Sequence, residues 1–238
     1  MALAHRSMAA PTVSLSVDAD LSSVWDNPGM ATQSRWLNIA FIGIALIVGV
    51  GSALLWRQYG AAPVTLATGT YLSPNRALPD FSLIDQHGQT FGSANLRGSW
   101  SMLFFGYTNC PDFCPTTLTT LAALEKRLRG ANALRPRVVF VSVDAKRDTP
   151  EQLAKYVPYF DPEFIGLTAA NQPAIEELAK QLGVGVIITP KADGSYTVDH
   201  TTEIFVLNPA GQLAAILTGP FNVDNLEADF QRIVAGHA

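Results

Sequence analysis

Apolar and polar positions divide the chain into one unbroken apolar run and, after a gap, a long stretch of short apolar runs and helical periodicities. The run from Trp36 to Trp56, WLNIAFIGIALIVGVGSALLW, carries no charge, and Asn38 and Ser52 are its only polar side chains. At 1.5 Å per residue it makes a helix of about 31 Å, matching a hydrocarbon core of about 30 Å. Trp36 and Trp56 stand where interfacial aromatics belong, with Arg35 and Arg57 just outside them. The pattern predicts a single transmembrane anchor over 36–56. A cleaved signal peptide has an apolar region of roughly 7–15 residues, which this run exceeds. With one arginine on each side, the positive-inside rule does not fix the orientation. Residues 1–35, polar and without a sustained period, read as a disordered tail.

Residues 57–77 are small, Gly- and Pro-containing, and read as an extended linker. From residue 78 to 238 the pattern predicts one α/β domain. Phe81–Ile84 and Thr90–Phe91 flank a turn and form a short hairpin. Trp100–Tyr107 and Val138–Val143 are continuous apolar runs, the mark of strands buried on both faces. Pro115–Arg129 places Leu118, Leu121, Leu124 and Leu128 at helical spacing. Thr149, Pro150 and Glu151 open a second helix, and a third over Pro173–Leu182 is closed by Gly183. Val184–Ile188 and Tyr196–Val198 flank a turn, Glu203–Leu207 and Leu213–Leu217 flank NPAGQ, and an amphipathic helix over Asn222–Val234 closes the chain. A βαβ core followed by a hairpin and a last helix is a thioredoxin-like α/β sheet, here with an extra N-terminal hairpin and a preceding transmembrane helix.

Composition sharpens this picture. Charged residues are 15% of the chain against about 25% in a typical soluble domain, so the apolar excess belongs to the anchor. A formal charge of −4 excludes a basic nucleic-acid binder, which needs clustered Lys and Arg. Two cysteines allow a single pairing and no disulfide-rich scaffold.

Both cysteines lie in GYTNCPDFCPTTL, at the carboxyl end of the first buried strand, where open α/β sheets carry their chemistry. Cys110 and Cys114 are spaced C-x-x-x-C, and Pro115 at the first helical position would make Cys114 the N-cap. A helix N-terminus stabilises a thiolate, the form that attacks disulfides and binds metals. The pair therefore reads as redox-active or metal-binding; a plain disulfide would close too short a loop to stabilise the fold much. Among four histidines, His5, His87 and His237 lie in the tail, a turn and the terminus and read as solvated. His200 stands just before the strand expected beside the cysteine-bearing one. Two thiolates and an imidazole suit Cu(I) or Zn(II), and an incomplete, accessible set suits an ion that is handed on, so copper leads. Asp144 ends its strand close to the site, as a support or a loop cap, and Asp199 either orients His200 or is solvated. Met102, the only methionine after Met30, lies in a buried strand, which excludes methionine-rich copper binding.

The segments ALPDFSLIDQHGQTF, GYTNCPDFCPTTL, VSVDAKRDTPEQLAKYV and DHTTEIFVLNPAG together resemble the Sco/SenC copper-chaperone family over roughly 78–235. The resemblance implies a thioredoxin fold in which Cys110, Cys114 and His200 bind copper as Cu(I) or Cu(II). It implies a metallochaperone that serves the dinuclear copper centre of cytochrome c oxidase subunit II, with a copper donor protein and a thiol reductant as further partners. The domain would then face the bacterial periplasm, or the intermembrane space in a mitochondrion. The rival reading is a metal-independent, membrane-tethered thiol–disulfide reductase using the same cysteines. Thr201 stands where thioredoxins have a proline, against general oxidoreductase work, and Thr108 is one residue too close to Cys110 for a peroxiredoxin.

Overall fold

The computed structural model describes residues 28–59 and 64–237, with side chains over 37–54 and 64–237. The chain divides into two units, 1–62 and 63–238. In the first, helix α1 spans Pro28–Tyr59, 32 residues. Among the described residues it is the one helix long and apolar enough to cross a membrane, with mean hydropathy 2.2 over Leu37–Leu54 and none of that window buried. It begins before the expected residue 36: Pro28 suits a first turn, and past Gly29 no glycine or proline lies between it and the apolar run. Residues 28–35, assigned above to the tail, are thus helical, and the tail over 1–27 and the side chains of Trp36 and Trp56 lie outside the described residues.

In the second unit the elements run β1 (Gly69–Ala77), β2 (Ser82–Asp85), β3 (Thr90–Gly92), β4 (Ser101–Gly106), α2 (Phe113–Gly130), β5 (Arg137–Ser142), α3 (Pro150–Phe160), β6 (Ile165–Thr168), α4 (Gln172–Leu182), β7 (Val186–Pro190), β8 (Tyr196–His200), β9 (Ile204–Leu207), β10 (Gln212–Leu217) and α5 (Val223–His237). Eight strands form one sheet in the order β1-β10-β9-β4-β5-β6-β2-β3, while β7 and β8 pair only with each other. β4 and β5 run parallel at its centre, with Phe104 opposite Phe140. All six residues of β4 are buried, as its unbroken apolar run requires. Leu118, Leu121, Leu124 and Leu128 form the buried stripe of α2. Thr149 caps α3 by accepting from the Gln152 N–H, and Gly183 ends α4 with φ at 80°.

Two expectations are corrected. Residues 69–77, read as linker, form β1, an edge strand antiparallel to β10. Its Pro74 falls in an irregular stretch of pairing between Tyr71 and Arg76, and proline is tolerated at sheet edges because no ladder hydrogen bond is needed there. Asp229 on α5, fully buried, holds the approach to β1: it accepts from Ala67 N at 2.7 Å and from Thr68 N and Oγ1 at 2.8 and 2.6 Å. The N-terminal hairpin is also no free decoration, since β2 pairs antiparallel with β6 and extends the main sheet.

Candidate metal centre

β4 ends at Gly106 and hands the chain to the loop 107–112, which carries Cys110 into α2. A side chain at Gly106 would meet the Phe140 ring at 2.7 Å and Cys114 Sγ at 2.9 Å, so glycine is what lets the second sulfur sit against the strand end. The loop is bolted from below. Asp148, fully buried, accepts from Thr108 N at 2.9 Å, Thr108 Oγ1 at 2.6 Å and Ser142 Oγ at 2.7 Å. Burial raises its carboxyl pKa, against the opposing pull of these hydrogen bonds.

α2 starts two residues earlier than expected: Asp112 is the N-cap, and Cys114 and Pro115 lie inside the first turn. The first N–H groups of a helix have no intrahelical partner, so a proline does not have to mark the first position. The consequence for the thiols is a reversal. Cys114 is fully buried, and burial pushes its thiol up in spite of the nearby helix start. Its own N–H points at Cys110 Sγ, 3.4 Å away, so the partly exposed sulfur is the one that receives the helix N-terminus.

His200 closes β8. Its Nδ1 lies 2.7 Å from the Thr201 carbonyl oxygen, which only accepts, so Nδ1 carries the proton. The Nε2 lone pair is left facing Cys114 Sγ at 3.5 Å. Burial lowers the imidazole pKa and keeps the ring neutral, the form that ligates metals. Tyr107 and Phe104 hold the ring edge-to-face at 5.9 and 6.4 Å. Sγ of Cys110, Sγ of Cys114 and a nitrogen of His200 all lie within 4.8 Å of one another. Metal–sulfur bonds of about 2.3 Å and metal–nitrogen bonds of about 2.0 Å place ligands of one ion roughly 3.3–3.9 Å apart, so small adjustments suffice for a shared ion. A cleft of about 620 Å³ is lined by Cys110 and His200, with Phe113, Arg147 and Tyr196, while Cys114 lies buried behind them. Phe113, exposed at 64%, stands at its rim.

The structure thus brings together the three residues singled out from the sequence. Asp144 is buried and receives Arg147 and the Tyr196 hydroxyl. Asp199, next to His200 on the strand, is exposed and makes no hydrogen bond with it; the Thr201 carbonyl does the orienting instead. His87 and His237 are exposed and away from the site, and His5 lies outside the described residues. Asp148, Arg147, Tyr107 and Tyr196 were not singled out; Arg147 and Asp148 lie in the VDAKRDTP segment, and nothing local marks the two tyrosines.

The SCO1/SenC family model matches residues 70–235. A SCO2-like protein of Rickettsia conorii is 33% identical over 187 residues, 77% of this chain and 90% of that one. Arabidopsis thaliana ScoI, solved with copper bound, superposes with a TM-score of 0.63 at 33% identity, covering 66% of this chain and 97% of its own. BsSco, described as a member of the Sco family of cytochrome c oxidase assembly proteins with a disulfide switch, superposes with a TM-score of 0.54 at 26% identity, covering 67% of this chain and 94% of its own. The thioredoxin-like α/β fold is common to these neighbours.

Proposed function

This chain belongs to the SCO1/SenC family, and from that premise we propose that it is a membrane-anchored copper metallochaperone whose cargo is held by Cys110, Cys114 and His200. One observation carries the reading: two sulfurs and an imidazole nitrogen with a free lone pair converge, and Cys110 and His200 of this set line an open cleft. Thiolates are soft donors and suit Cu(I); imidazole is compatible with both copper oxidation states. Three ligands under an open cleft leave a side from which a partner's ligands can approach, as transfer by ligand exchange needs. Binding replaces the S–H protons with the metal, so uptake releases protons to solvent.

Copper bound to ScoI and the membership of BsSco in a family of cytochrome c oxidase assembly proteins support delivery to that oxidase. The finer assignment is the dinuclear copper centre of subunit II as acceptor, with a copper donor and a thiol reductant upstream. The helix over 37–54 would tether the domain to the bacterial inner membrane on its periplasmic side, or to the mitochondrial inner membrane facing the intermembrane space. The cysteine pair must be reduced to accept the ion, so the redox state of the pair controls loading.

The test is titration of the reduced full-length protein in detergent micelles with Cu(I), under chelator competition, and with Cu(II). One equivalent of either ion, with sulfur-to-copper charge-transfer absorption for Cu(II), is the expected result. His200→Ala removes a ligand and should weaken Cu(II) binding by more than the roughly 10- to 100-fold that loss of an outer-shell partner costs, and Cys110→Ser should abolish the sulfur signature. No stoichiometric copper together with facile thiol–disulfide cycling would overturn the proposal in favour of a tethered reductase.

A further inference from the structure

His200 is carried by a hairpin that joins the main sheet at neither strand. The Thr201 N–H to Gly185 carbonyl bond of 3.2 Å closes the hairpin's two strands on each other at the base and does not tie them to the sheet. The hairpin's placement rests on side chains. Alternate residues of a strand share a face, so Tyr196, Val198 and His200 point one way and Thr197 and Asp199 the other. Val198, 3% exposed, plugs into the core at mid-strand. Tyr196, four residues and about 13 Å along the strand from His200, makes the polar grip.

The Tyr196 hydroxyl donates to Asp144 Oδ1 at 2.7 Å. Arg147 Nε pairs with Oδ2 of the same buried carboxylate, and Arg147 Nη1 donates to the Tyr196 carbonyl at 3.4 Å. The guanidinium lies over the Tyr196 ring, 4.0 Å from its centroid, and 5.7 Å from that of Tyr107, the residue that supports the His200 ring. The grip is continuous with the cysteine loop. The Asp144 N–H donates to Ser142 Oγ at 3.0 Å, Ser142 Oγ donates to Asp148, and Asp148 holds Thr108 two residues before Cys110. One polar chain therefore links the hairpin that carries the nitrogen ligand to the loop that carries the sulfurs.

We infer that Tyr196, Asp144 and Arg147 form a clasp that sets the reach of His200 toward the cysteine pair, so that Tyr196 and Arg147 position a ligand neither touches. The inference rests on the copper reading of the site. With the clasp closed, Nε2 faces Cys114 Sγ and the site offers a nitrogen with its two sulfurs. With it open, His200 swings away with β8 and two sulfurs remain, a set that suits Cu(I) and serves Cu(II) poorly. The clasp thus favours retention of Cu(II), and a partner that pries the hairpin loose would promote release.

Full-length wild type, Tyr196→Phe, Arg147→Lys and His200→Ala, each in detergent micelles, are compared for Cu(II) affinity, nitrogen hyperfine coupling in the Cu(II) paramagnetic resonance spectrum, and Cu(I) affinity. Tyr196→Phe keeps the ring for stacking and removes only the hydroxyl. Its Cu(II) affinity should fall about tenfold, the scale of one hydrogen bond to a charged group, with weakened nitrogen coupling and unchanged Cu(I) affinity. Arg147→Lys, which loses the planar stack and the fork geometry, should move the same readouts in the same direction. Wild-type Cu(II) affinity and coupling in both variants would overturn the clasp while the His200→Ala loss still upheld the copper site. An equal fall for Cu(I) and Cu(II) would mark general damage and overturn it too. A wild-type chain that binds no copper would overturn both readings.

Discussion

Asp148 lies beneath the cysteine loop, and replacing it by alanine or asparagine separates the loss of its hydrogen bonds from the loss of its charge. Alanine removes all three acceptor contacts. The Thr108 N–H is then left without a partner beside a fully buried position, whereas the two hydroxyls can turn: Thr108 Oγ1 already meets Asn109 Oδ1 at 3.2 Å, and Ser142 Oγ still accepts from Asp144 N. An orphaned buried donor costs about 1–3 kcal/mol and each lost bond to a charged group about 1.5–3 kcal/mol before partial repair, so Asp148→Ala should lose about 3–5 kcal/mol. Asparagine can replace every contact. Its Oδ1 in the place of Asp148 Oδ2 accepts from Thr108 N and Ser142 Oγ, and its amide donates to Thr108 Oγ1. Burial already disfavours the charge, as the raised carboxyl pKa shows, so Asp148→Asn should stay within about 1 kcal/mol of wild type.

The pH dependence has a definite sign. With the folded pKa above the ordinary value of 3.8, the folded state holds the proton to higher pH than the unfolded chain does. The stability tied to this group is complete below 3.8 and falls as pH rises through the folded pKa. Asparagine removes that slope. Glu125, whose carboxyl burial pushes up to about 7, adds the same slope to both proteins, so the difference between them is the quantity read. Urea unfolding of the full-length protein in micelles, followed by near-ultraviolet circular dichroism at several pH values, gives both numbers. Asp148→Ala within 1 kcal/mol of wild type, or Asp148→Asn as unstable as Asp148→Ala, would refute the reasoning.

Three further outcomes follow from the geometry. Gly106→Ala places a methyl against the Phe140 ring and Cys114 Sγ, and should destabilise the domain by about 1–3 kcal/mol while lowering copper affinity, read by denaturation and by chelator competition. Asp229→Ala should free the 67–68 segment and let proteases cut before β1 at rates that leave the rest of the domain intact, read by limited proteolysis and mass spectrometry of the fragments. Because burial holds the Cys114 thiol up while His200 is already neutral, copper binding should release protons from sulfur and not from imidazole: apparent affinity should rise with pH through and above neutrality, by up to about tenfold per unit for each thiol proton displaced, read by calorimetry in buffers of different ionisation enthalpy.

Local patterns carried much of this protein. An apolar run of membrane length, the alternation of buried strands with leucine-striped helices, and caps at Thr149 and Gly183 are written in neighbouring residues, and each appears in the structure where the pattern puts it. Cys110 and Cys114 could be singled out because they flank one strand-to-helix junction, and His200 because it precedes the strand that pairs with β4. Tertiary contacts decided the rest. GTYLSPNRA becomes β1 only because β10 offers an edge to pair with and Asp229 grips the preceding residues; taken alone it has the composition of a linker. Helix dipole and spacing favour a Cys114 thiolate, yet the depth at which Gly106 lets that sulfur sit reverses the balance, and burial depends on the whole sheet. The Tyr196–Asp144–Arg147 contacts join residues up to 52 positions apart, and no spacing rule spans them. Patterns within a turn or two of chain reveal where the ligands are; desolvation and long-range hydrogen bonds, which exist only after the chain has closed on itself, set their protonation and their reach.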